Sequence, residues 1–216
     1  MTLILFDLDD TLLAGDTEAA WANYMSENML ILDKSFHLKM EQFEDQYRKG
    51  ELDVVEYTQY LLSPIVGKSE EEVSELVRSF SQIAVNRFRD RLTDSLLKTH
   101  SDDECLISSG TLSFLVKEIA SILGIKTYFG TDAELRDGFY TGKVKGRPNF
   151  EDEKVKKIRH WLGKRQVEAV TAYSDSVHDL PLLTFADKAV AVNPDDHLRR
   201  IALEKGWKID DTRLIG

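Results

Sequence analysis

Short apolar segments alternate with helical patterns through the second half of the chain. The segments CLIS, KTYF, EAVTAY and KAVAV have the length and composition of strands, and amphipathic stretches such as Leu112 to Leu123 separate them. Strands that alternate with helices form βαβ units with right-handed crossovers, which place the strands in a parallel sheet covered on both faces. The apolar run Leu3 to Phe6 belongs to the same sheet. The sequence therefore predicts an α/β fold with a doubly wound parallel sheet.

The residues between the first strand and the second carry helical patterns throughout. Phe36, Met40 and Phe43 recur at the spacing of one helix face, and Ser69 with Glu72 forms a capping box before a further apolar stripe. A long helical stretch between two strands of one sheet indicates an inserted unit. The predicted organisation is an α/β core formed by residues 1–14 and 99–216, with an all-helical cap formed by residues 15–98.

A turn signal lies in the segment LRDGFYTGKV, where Asp137 and Gly138 are flanked by residues that favour strands. Asp-Gly is a preferred pair for the tight turn of a β-hairpin, because both turn residues take positive φ angles. We therefore expect a small β-hairpin flap between the strand KTYF and the helix that follows.

The charge balance limits the partners that the chain can bind. Its 216 residues include 28 Lys and Arg against 38 Asp and Glu, for a formal net charge of -10. This excess argues against a broad nucleic-acid surface and against an anionic membrane. No apolar run approaches the ~20 residues of a membrane span, and no signal-type segment is evident, so we expect a cytoplasmic protein. The single cysteine, Cys105, excludes an internal disulfide and is expected to be a buried strand residue.

Acidic residues follow two of the predicted strands. Asp7 and Asp9 come directly after the first apolar run, and Asp175 and Asp179 follow EAVTAY. Ligands of an open parallel sheet bind outside the carboxyl ends of its strands, so these carboxylates can converge in one crevice. Unpaired carboxylates repel one another and lose hydration there, and a hard divalent cation relieves both costs. Because no histidine or thiolate cluster accompanies them, the ligand set favours Mg²⁺ over zinc.

Two further stretches carry groups that suit an anion. Ser108 and Ser109, followed by Gly110 and Thr111, place hydroxyls and backbone amides where they can hold an oxyanion. Lys154 stands in the first turn of a predicted helix, where the helix dipole disfavours a cation. Its charge is better explained by contact with a phosphate or with the carboxylates. Each feature alone has an ordinary alternative, namely a turn, a helix cap or a solvated lysine, but their common position after strands favours one shared site.

The order of these motifs resembles that of the haloacid dehalogenase-like hydrolases. FDLDDTL resembles the first motif of that family, LISS the second, EDEKVKKI with Lys154 the third, and YSDSVHDLP the fourth. More narrowly, FDLDDTLLAGDT, RDGFYTGKVKG and AVNPD resemble the phosphoserine phosphatase-like subfamily, whose bacterial members include proteins assigned to phosphoserine and to histidinol phosphate. The resemblance implies a Rossmann-like core with a helical cap inserted after the first motif.

The resemblance also implies a reaction. Asp7 would be the nucleophile that forms an aspartyl-phosphate, and Asp9 would protonate the leaving alcohol and then deprotonate the attacking water. Lys154 would stabilise charge on the phosphoryl group, and the backbone carbonyl of Asp9 would reach the metal. The implied metal ligands are Asp7, Asp9, Asp175 and Asp179, the last acting directly or in support. The implied phosphate-binding and substrate-binding residues are Thr11, Ser108, Ser109 and Asp16.

The sequence departs from the subfamily pattern near the nucleophile. Asp10 stands where a small residue is common, and it has no assigned role. Asp16 stands where relatives have a glutamate that binds the substrate amino group, and an equally good alternative is that Asp16 or Thr17 caps the next helix. Thr111 is a further uncertain substrate contact. The cap also holds candidates for a substrate carboxylate or phosphate, for which surface positions are the simpler expectation: Arg48, Arg87 and Arg89.

The remaining candidates have structural interpretations. His178, between the aspartates of the fourth motif, is expected to point to solvent and to have no catalytic task. The tryptophans are expected in core or edge packing: Trp21, Trp161 and Trp207.

The predicted function is a Mg²⁺-dependent phosphomonoesterase for a small soluble metabolite such as phosphoserine or histidinol phosphate. A lipid phosphate is disfavoured by the lack of a basic amphipathic helix. Dehalogenation is excluded because family members acting on carbon-halogen bonds lack the second aspartate. Two alternatives remain open: a phosphotransferase that uses the same intermediate, and a catalytically silent phosphate-binding protein on the same fold.

Overall fold

The computed structural model describes residues 2–31, 33 and 35–213. Within this part of the chain, six parallel strands form a sheet in the order β3-β2-β1-β6-β7-β8. These strands are β1 (Thr2–Phe6), β2 (Glu104–Leu112), β3 (Thr127–Thr131), β6 (Ala169–Ser174), β7 (Lys188–Val192) and β8 (Lys208–Asp210). The predicted doubly wound parallel sheet is thus confirmed, although the short edge strand β8 is not among the predicted strands.

The helices lie on both faces of the sheet and in the stretch between β1 and β2. Their bounds are α1 (Thr17–Glu27), α2 (Ser35–Lys49), α3 (Val54–Leu62), α4 (Glu70–Phe88), α5 (Arg91–Thr99), α6 (Ser113–Leu123), α7 (Asp152–Leu162), α8 (Leu180–Phe185) and α9 (Asp196–Lys205). Helix α4 begins with the predicted capping box. The Ser69 hydroxyl accepts from the Glu72 amide, and the Glu72 carboxylate accepts from the Ser69 amide at 2.7 Å.

The first strand occupies the centre of the sheet. β1 pairs with β2 on one side and with β6 on the other, so that Phe6 lies beside Ile107 and Tyr173. The strand order reverses at this point, and ligands of open α/β sheets bind beyond the carboxyl ends of the strands there. Asp7 is the next residue, and its amide donates to the Tyr173 carbonyl at 3.0 Å. The fold therefore delivers Asp7 to the edge where a ligand is expected.

Alternate residues of β1 pack on opposite faces of the sheet, because successive strand side chains point in opposite directions. Ile4 and Phe6 lie in a core cluster with residues of α5 and α6. Leu3 and Leu5 lie in a second cluster with residues of α7, α8 and α9. Burying both faces explains why this strand is a continuous apolar run rather than an alternating one.

Helices α1 to α4 contribute to a further apolar cluster. Trp21 of α1 is fully buried there and meets Phe80 of α4 with ring centroids 5.1 Å apart. Leu92 and Leu96 of α5 pack instead in the cluster beneath the sheet. The helices between β1 and β2 therefore pack on one another as far as α4, whereas α5 joins the sheet. The division into a core of residues 1–14 and 99–216 and a cap of residues 15–98 stays a prediction.

The predicted hairpin flap is present. β4 (Ala133–Arg136) and β5 (Phe139–Val144) pair antiparallel, with Arg136 opposite Phe139. The turn residues Asp137 and Gly138 have φ angles of 53° and 83°. Positive φ at both positions is what the Asp-Gly pair favours in a tight hairpin turn.

The cysteine and two tryptophans lie in the α/β core. Cys105 lies in β2 but is half-buried rather than buried, and burial raises the pKa of its thiol to about 11. Trp161 and Trp207 pack against the cluster of α7 to α9, as expected for edge packing. Among the described residues, no helix combines the length and apolar character needed to cross a bilayer.

Candidate active site

The two aspartates that follow β1 are held by different partners. The Asp9 carboxylate accepts from the Thr17 amide at 2.6 Å and from the Thr111 hydroxyl at 2.6 Å, with the Ser109 hydroxyl at 3.3 Å. The chain turns sharply between these aspartates and α1, and Asp10 takes a φ of 53° in that turn. Asp9 is therefore oriented by the N-terminus of α1 and by the end of β2.

Lys154 reaches Asp7 from the first turn of α7. Its side chain is 3% exposed, and Nζ donates to Asp7 Oδ1 at 2.7 Å and to Asp179 Oδ2 at 2.8 Å. Burial lowers the pKa of Lys154, but the charges of Asp179 and Asp7 outweigh that effect and hold the pKa above its usual value. The lysine is a cation at neutral pH, and its position at a helix N-terminus is explained by the carboxylates it meets.

The carboxylates crowd one another despite this lysine. Burial, together with the charges of Asp179 and Asp9, raises the pKa of Asp7 to about 7 against the opposing charge of Lys154. Burial and the neighbouring Asp7 likewise raise the pKa of Asp175 well above its usual value. Buried carboxylates with raised pKa values demand additional positive charge if they are to be ionised together.

The carboxylates at the strand ends offer oxygen ligands, which Mg²⁺ prefers. Among the described residues, no group of three or more His, Cys, Asp or Glu side chains is arranged to hold a metal ion. Mg²⁺ needs fewer, because it keeps several waters and binds through one or two carboxylates and the substrate phosphate. Asp7 and Asp175 meet that need, and the Thr11 hydroxyl orients Asp175 by donating to Oδ1 at 2.7 Å. These residues therefore fit a magnesium site.

The other predicted ligands have different surroundings. Asp179 is buried, with its carboxylate against Lys154 and against the Ser174 hydroxyl at 2.8 Å, so it holds the lysine in this structure. The Thr11 side chain does not line the cavity described below; its hydroxyl is directed at Asp175. Thr11, which the resemblance implies as a phosphate-binding residue, instead makes an orienting contact with a carboxylate.

The serines at the end of β2 differ in position. Ser109 lines the cavity with Gly110 and Thr111, as expected for an oxyanion-holding segment. Ser108 is fully buried behind it, where its hydroxyl accepts from Asn149 Nδ2 at 3.1 Å. The expectation that Ser108 contacts phosphate therefore needs correction. Asn149 was not predicted; it also donates to the Ser109 carbonyl at 2.9 Å and so supports this segment from behind.

Asp16 confirms one of the two alternatives that the sequence left open, the helix cap, and the substrate contact stays a prediction. Its carboxylate caps α1 by accepting from the amides of Glu18 and Ala19, each at 2.9 Å, and it also lines the cavity. Glu18 was not predicted. It is 8% exposed and accepts from the Leu112 amide at 3.0 Å and from the Tyr57 hydroxyl at 2.9 Å. Burial, followed by the charges of Asp16 and Asp9, raises the pKa of Glu18 to about 8.

His178 does not point to solvent, and that expectation is wrong. Its ring packs against those of Tyr47 in α2 and Phe150, with centroid distances of 4.6 and 5.0 Å. The Tyr47 hydroxyl lies 2.8 Å from the Ser176 hydroxyl in the same loop. The expectation failed because the ring is covered by α2, a helix distant in sequence. These contacts join the helical insertion to the loop that follows β6.

The carboxylates open into a cavity of about 390 Å³. One wall is formed by the loops after the central strands, and the opposite wall by residues of α1, α2 and α3. Such a volume suits a small organic ligand. The arginine candidates do not line it: Arg48 pairs with Glu44, Arg89 pairs with Asp94, and Arg87 lies over the Phe88 ring.

A family model described as haloacid dehalogenase-like hydrolase matches residues 4–184. The chain belongs to this hydrolase family. The match spans the first strand, the helical insertion and all of the strand-end carboxylates described above, so the family assignment and the site rest on the same residues.

Relatives of this hydrolase are named as phosphatases. A histidinol-phosphatase of Neisseria meningitidis is 33% identical over 215 residues, which cover 96% of this chain and 97% of that protein. A phosphoserine phosphatase of Mycobacterium tuberculosis is 30% identical over 220 residues, which cover 97% of this chain and 70% of that protein.

Solved structures share the architecture. A Bordetella pertussis protein described as having unknown function superposes with a TM-score of 0.88 at 30% identity, covering 97% of this chain and 98% of its own. A substrate-bound phosphoserine phosphatase gives a TM-score of 0.70 at 18% identity, covering 98% of this chain and 93% of its own. The second likeness is evidence for the fold alone.

One arginine of the hydrolase was missed by the sequence analysis. Arg213 donates to the carbonyls of Asp10 and Thr11, each at 2.8 Å, and its Nε donates to Asp90 at 2.6 Å. The guanidinium thus holds the backbone at Asp10 and Thr11. Asp10, whose role was unassigned, contributes its carbonyl to this contact, and its side chain is exposed.

Proposed function

We propose that the chain is a Mg²⁺-dependent phosphomonoesterase that hydrolyses a small phosphorylated metabolite through an aspartyl-phosphate. The observation that carries the proposal is the contact of Lys154 with Asp7 at 2.7 Å, in a cavity that Asp9 also lines. A nucleophile, an acid-base carboxylate and a buried cation in one cavity are the groups that phosphoryl transfer requires. The phosphatase names of the relatives support the same reaction class.

In the first step, one Asp7 oxygen attacks phosphorus. Lys154 donates a hydrogen bond to Asp7 Oδ1, which leaves Oδ2 of the same carboxylate for the attack. The new bond joins that oxygen to phosphorus, and the bond from phosphorus to the ester oxygen breaks. Asp9 gives its proton to the departing oxygen, so the product leaves as an alcohol. Held by the Thr17 amide at 2.6 Å, Asp9 needs little reorganisation for this transfer.

In the second step, water releases the phosphate. Asp9, now ionised, takes a proton from water as the water oxygen bonds to phosphorus. The bond between phosphorus and Asp7 breaks, which restores the Asp7 carboxylate and yields inorganic phosphate. Lys154 stabilises the charge that develops on the phosphoryl oxygens and on the departing carboxylate.

Mg²⁺ fits this scheme through Asp7 and Asp175, with the Asp9 carbonyl as a further ligand. When bound, it would neutralise charge on the phosphoryl oxygens and permit the crowded carboxylates to be ionised together. Asp179 acts through Lys154, which it holds with the Ser174 hydroxyl. Ser109 and Gly110 supply a hydroxyl and an amide at the phosphate, whereas the Thr111 hydroxyl donates to Asp9 at 2.6 Å and orients it.

The experiment is release of inorganic phosphate from a panel of phosphoserine, histidinol phosphate, sugar phosphates and p-nitrophenyl phosphate, with Mg²⁺ or with EDTA. We expect turnover with Mg²⁺ that is lost in EDTA and in Asp7→Asn. Asp137→Asn is the matched control, because it makes the same change in the hairpin turn, where asparagine tolerates the positive φ of 53°.

The outcome separates the alternatives. Turnover without phosphate release, but with a phosphorylated acceptor, would assign a phosphotransferase. A folded protein that binds phosphate and releases none from any ester would contradict the proposal and favour a silent binding protein.

A further inference from the structure

Arg213, which follows β8, binds three consecutive backbone carbonyls in the turn after β1. Its Nη1 donates to the carbonyls of Asp10 and Thr11, each at 2.8 Å. Its Nη2 donates to the Leu12 carbonyl at 3.4 Å, and its Nε donates to the Asp90 carboxylate at 2.6 Å. One guanidinium therefore joins the edge strand of the sheet to the turn that follows the central strand.

Helix α5 holds the same turn through a second contact. Thr93 is fully buried, and its hydroxyl donates to the Leu12 carbonyl at 2.6 Å. Asp90 caps α5 by accepting from the Thr93 amide at 2.8 Å, and its carboxylate also accepts from Arg213. Because a hydrogen bond between two charged groups is stronger than one between neutral groups, Asp90 fixes the orientation of the guanidinium.

The backbone of this turn needs such support. Asp10 has a φ of 53° and a ψ of -2°, which lie in the left-handed region that glycine adopts freely and that other residues adopt at a cost in free energy. A residue in that region keeps its conformation where the surrounding contacts determine it. Arg213 supplies one of these contacts at the carbonyl of Asp10 itself.

The side chains of the turn belong to the candidate active site. Asp9 lines the cavity, and the Thr11 hydroxyl donates to Asp175 Oδ1 at 2.7 Å. Arg213 does not line the cavity, so it would not touch a bound substrate. Its contact with the Thr11 carbonyl instead limits how far the backbone of Thr11 can move, and thereby where the Thr11 hydroxyl points.

We propose that Arg213 is a positioning residue for the magnesium ligand Asp175. By binding the carbonyls of Asp10 and Thr11, it keeps the Thr11 hydroxyl directed at the Asp175 carboxylate. The inference rests on the phosphomonoesterase function proposed above. It adds to the site a residue that lies outside the cavity and outside residues 4–184, the range of the family match.

The test compares the removal of two paired arginines. Arg213→Met removes the guanidinium from the turn. Its matched control is Arg199→Met in α9, because Arg199 pairs with Asp211 at 2.6 Å just after β8 and has no contact with the turn. Calorimetric titration gives the Mg²⁺ affinity of each folded protein without substrate. Phosphate release from p-nitrophenyl phosphate gives the half-saturating Mg²⁺ concentration, kcat and KM.

We expect Arg213→Met to weaken Mg²⁺ binding by about tenfold, the lower end of the range for groups that orient a metal ligand. The half-saturating Mg²⁺ concentration rises by the same factor, whereas KM at saturating Mg²⁺ changes less than about twofold. Arg199→Met keeps the wild-type affinity. Because Arg213→Met leaves Asp90 without its cation, Arg213→Lys is a second variant. It keeps the charge but lacks the planar fork, so its affinity is lower than that of the wild type by roughly threefold.

A double variant tests the route through Thr11. Removing Arg213 has little further effect once the Thr11 hydroxyl is gone, because the effects of residues that act through one another are not additive. We therefore expect Thr11→Val, Arg213→Met to bind Mg²⁺ within about twofold of Thr11→Val alone. Losses that multiply in the double variant would show that Arg213 does not act through Thr11 and would overturn the proposal.

Failure of this inference differs from failure of the proposed function. Wild-type Mg²⁺ affinity in Arg213→Met, or an equal loss in Arg213→Met and Arg199→Met, would overturn the positioning role even with full phosphatase activity. A wild type that binds Mg²⁺ but releases phosphate from no ester would overturn the phosphomonoesterase function, while the affinities would still decide the role of Arg213. A wild type that binds no Mg²⁺ would overturn both.

Discussion

The two walls of the cavity, the sheet wall formed by the loops after the central strands and the helical wall formed by α1, α2 and α3, differ at Glu41. On the sheet wall, the carboxylates have short contacts within the protein: Asp7 with Lys154, Asp175 with the Thr11 hydroxyl, and Asp9 with the Thr17 amide. On the helical wall, Glu41 has no partner in the described part of the chain. Fixed groups suit a reaction whose charges develop at the same place in every turnover, whereas a free carboxylate is suited to binding a ligand.

The largest effect on activity is expected from replacing Asp9 on the sheet wall. Asp9→Asn keeps an oxygen to accept from the Thr17 amide but can neither give nor take a proton. We expect kcat for an alkyl phosphate to fall by about 10²–10⁴-fold, the usual contribution of general acid-base catalysis.

A good leaving group distinguishes the two tasks of Asp9. p-Nitrophenolate departs without a proton, so its release in the first step should survive in Asp9→Asn while release of phosphate in the second step remains slow. The expected sign is a burst of about one equivalent of p-nitrophenolate per active site. Equal losses for both esters without a burst would contradict the acid role.

The contrast between the walls also shows what a sequence can predict. The position of Lys154 was predicted because a lysine at a helix N-terminus opposes the helix dipole, and that local conflict indicates a nearby anion. The sheet was predicted for a similar reason, since buried strands and amphipathic helices each have a local pattern. Features with a local physical cause can therefore be predicted from a single sequence.

Features that depend on contacts between residues distant in sequence were not predicted. Ser109 lines the cavity and Ser108 does not, and which of two successive strand residues faces a ligand depends on how β2 is placed in the sheet. His178 is covered by Tyr47 of α2, which lies 131 positions away. Arg213 binds the carbonyl of Asp10 across 203 positions. Such partners are fixed by tertiary packing and leave no signal near either residue.

A smaller effect is expected from removing the Thr11 hydroxyl, which orients Asp175 on the sheet wall. Thr11→Val preserves the shape of the side chain but removes the hydroxyl that donates to Asp175. Loss of a group that orients a metal ligand typically costs 10- to 100-fold in metal affinity, so we expect the half-saturating Mg²⁺ concentration to rise by roughly that factor. Calorimetric titration of Mg²⁺ measures the same change without turnover. An unchanged affinity would remove Asp175 from the proposed ligands.

The third prediction concerns Glu18, where the helical wall meets β2. Its pKa of about 8 lies above the usual value of 4.5, so the folded protein holds a proton that the unfolded chain loses between these pH values. The contribution of Glu18 to stability is therefore greatest below pH 4.5 and falls as the pH rises toward 8. Glu18→Gln mimics the protonated form and should melt a few degrees above the wild type at pH 8.

The control for this prediction is the melting temperature of both proteins measured from pH 5 to pH 8. Asp7 also has a raised pKa and lowers stability with rising pH in both proteins, so only the difference between them reports Glu18. At pH 5 the two melting temperatures should converge. A constant difference from pH 5 to pH 8, measured in EDTA, would show that Glu18 is ionised in the folded protein at both values.

The smallest effect is expected where the two walls touch. Tyr47→Phe removes the hydroxyl that lies 2.8 Å from the Ser176 hydroxyl, while the ring keeps its packing on His178. One hydrogen bond contributes about 1 kcal/mol, so the contact between α2 and the Ser176 loop should be roughly fivefold less favoured. Because α2 lines the cavity, we expect KM to rise by at most about that factor with little change in kcat. Tyr24→Phe, which removes a hydroxyl with no described hydrogen bond, is the matched control. A fall in kcat at constant KM would instead assign Tyr47 to the chemical steps, and the helical wall would share in the catalysis that the geometry gives to the sheet wall.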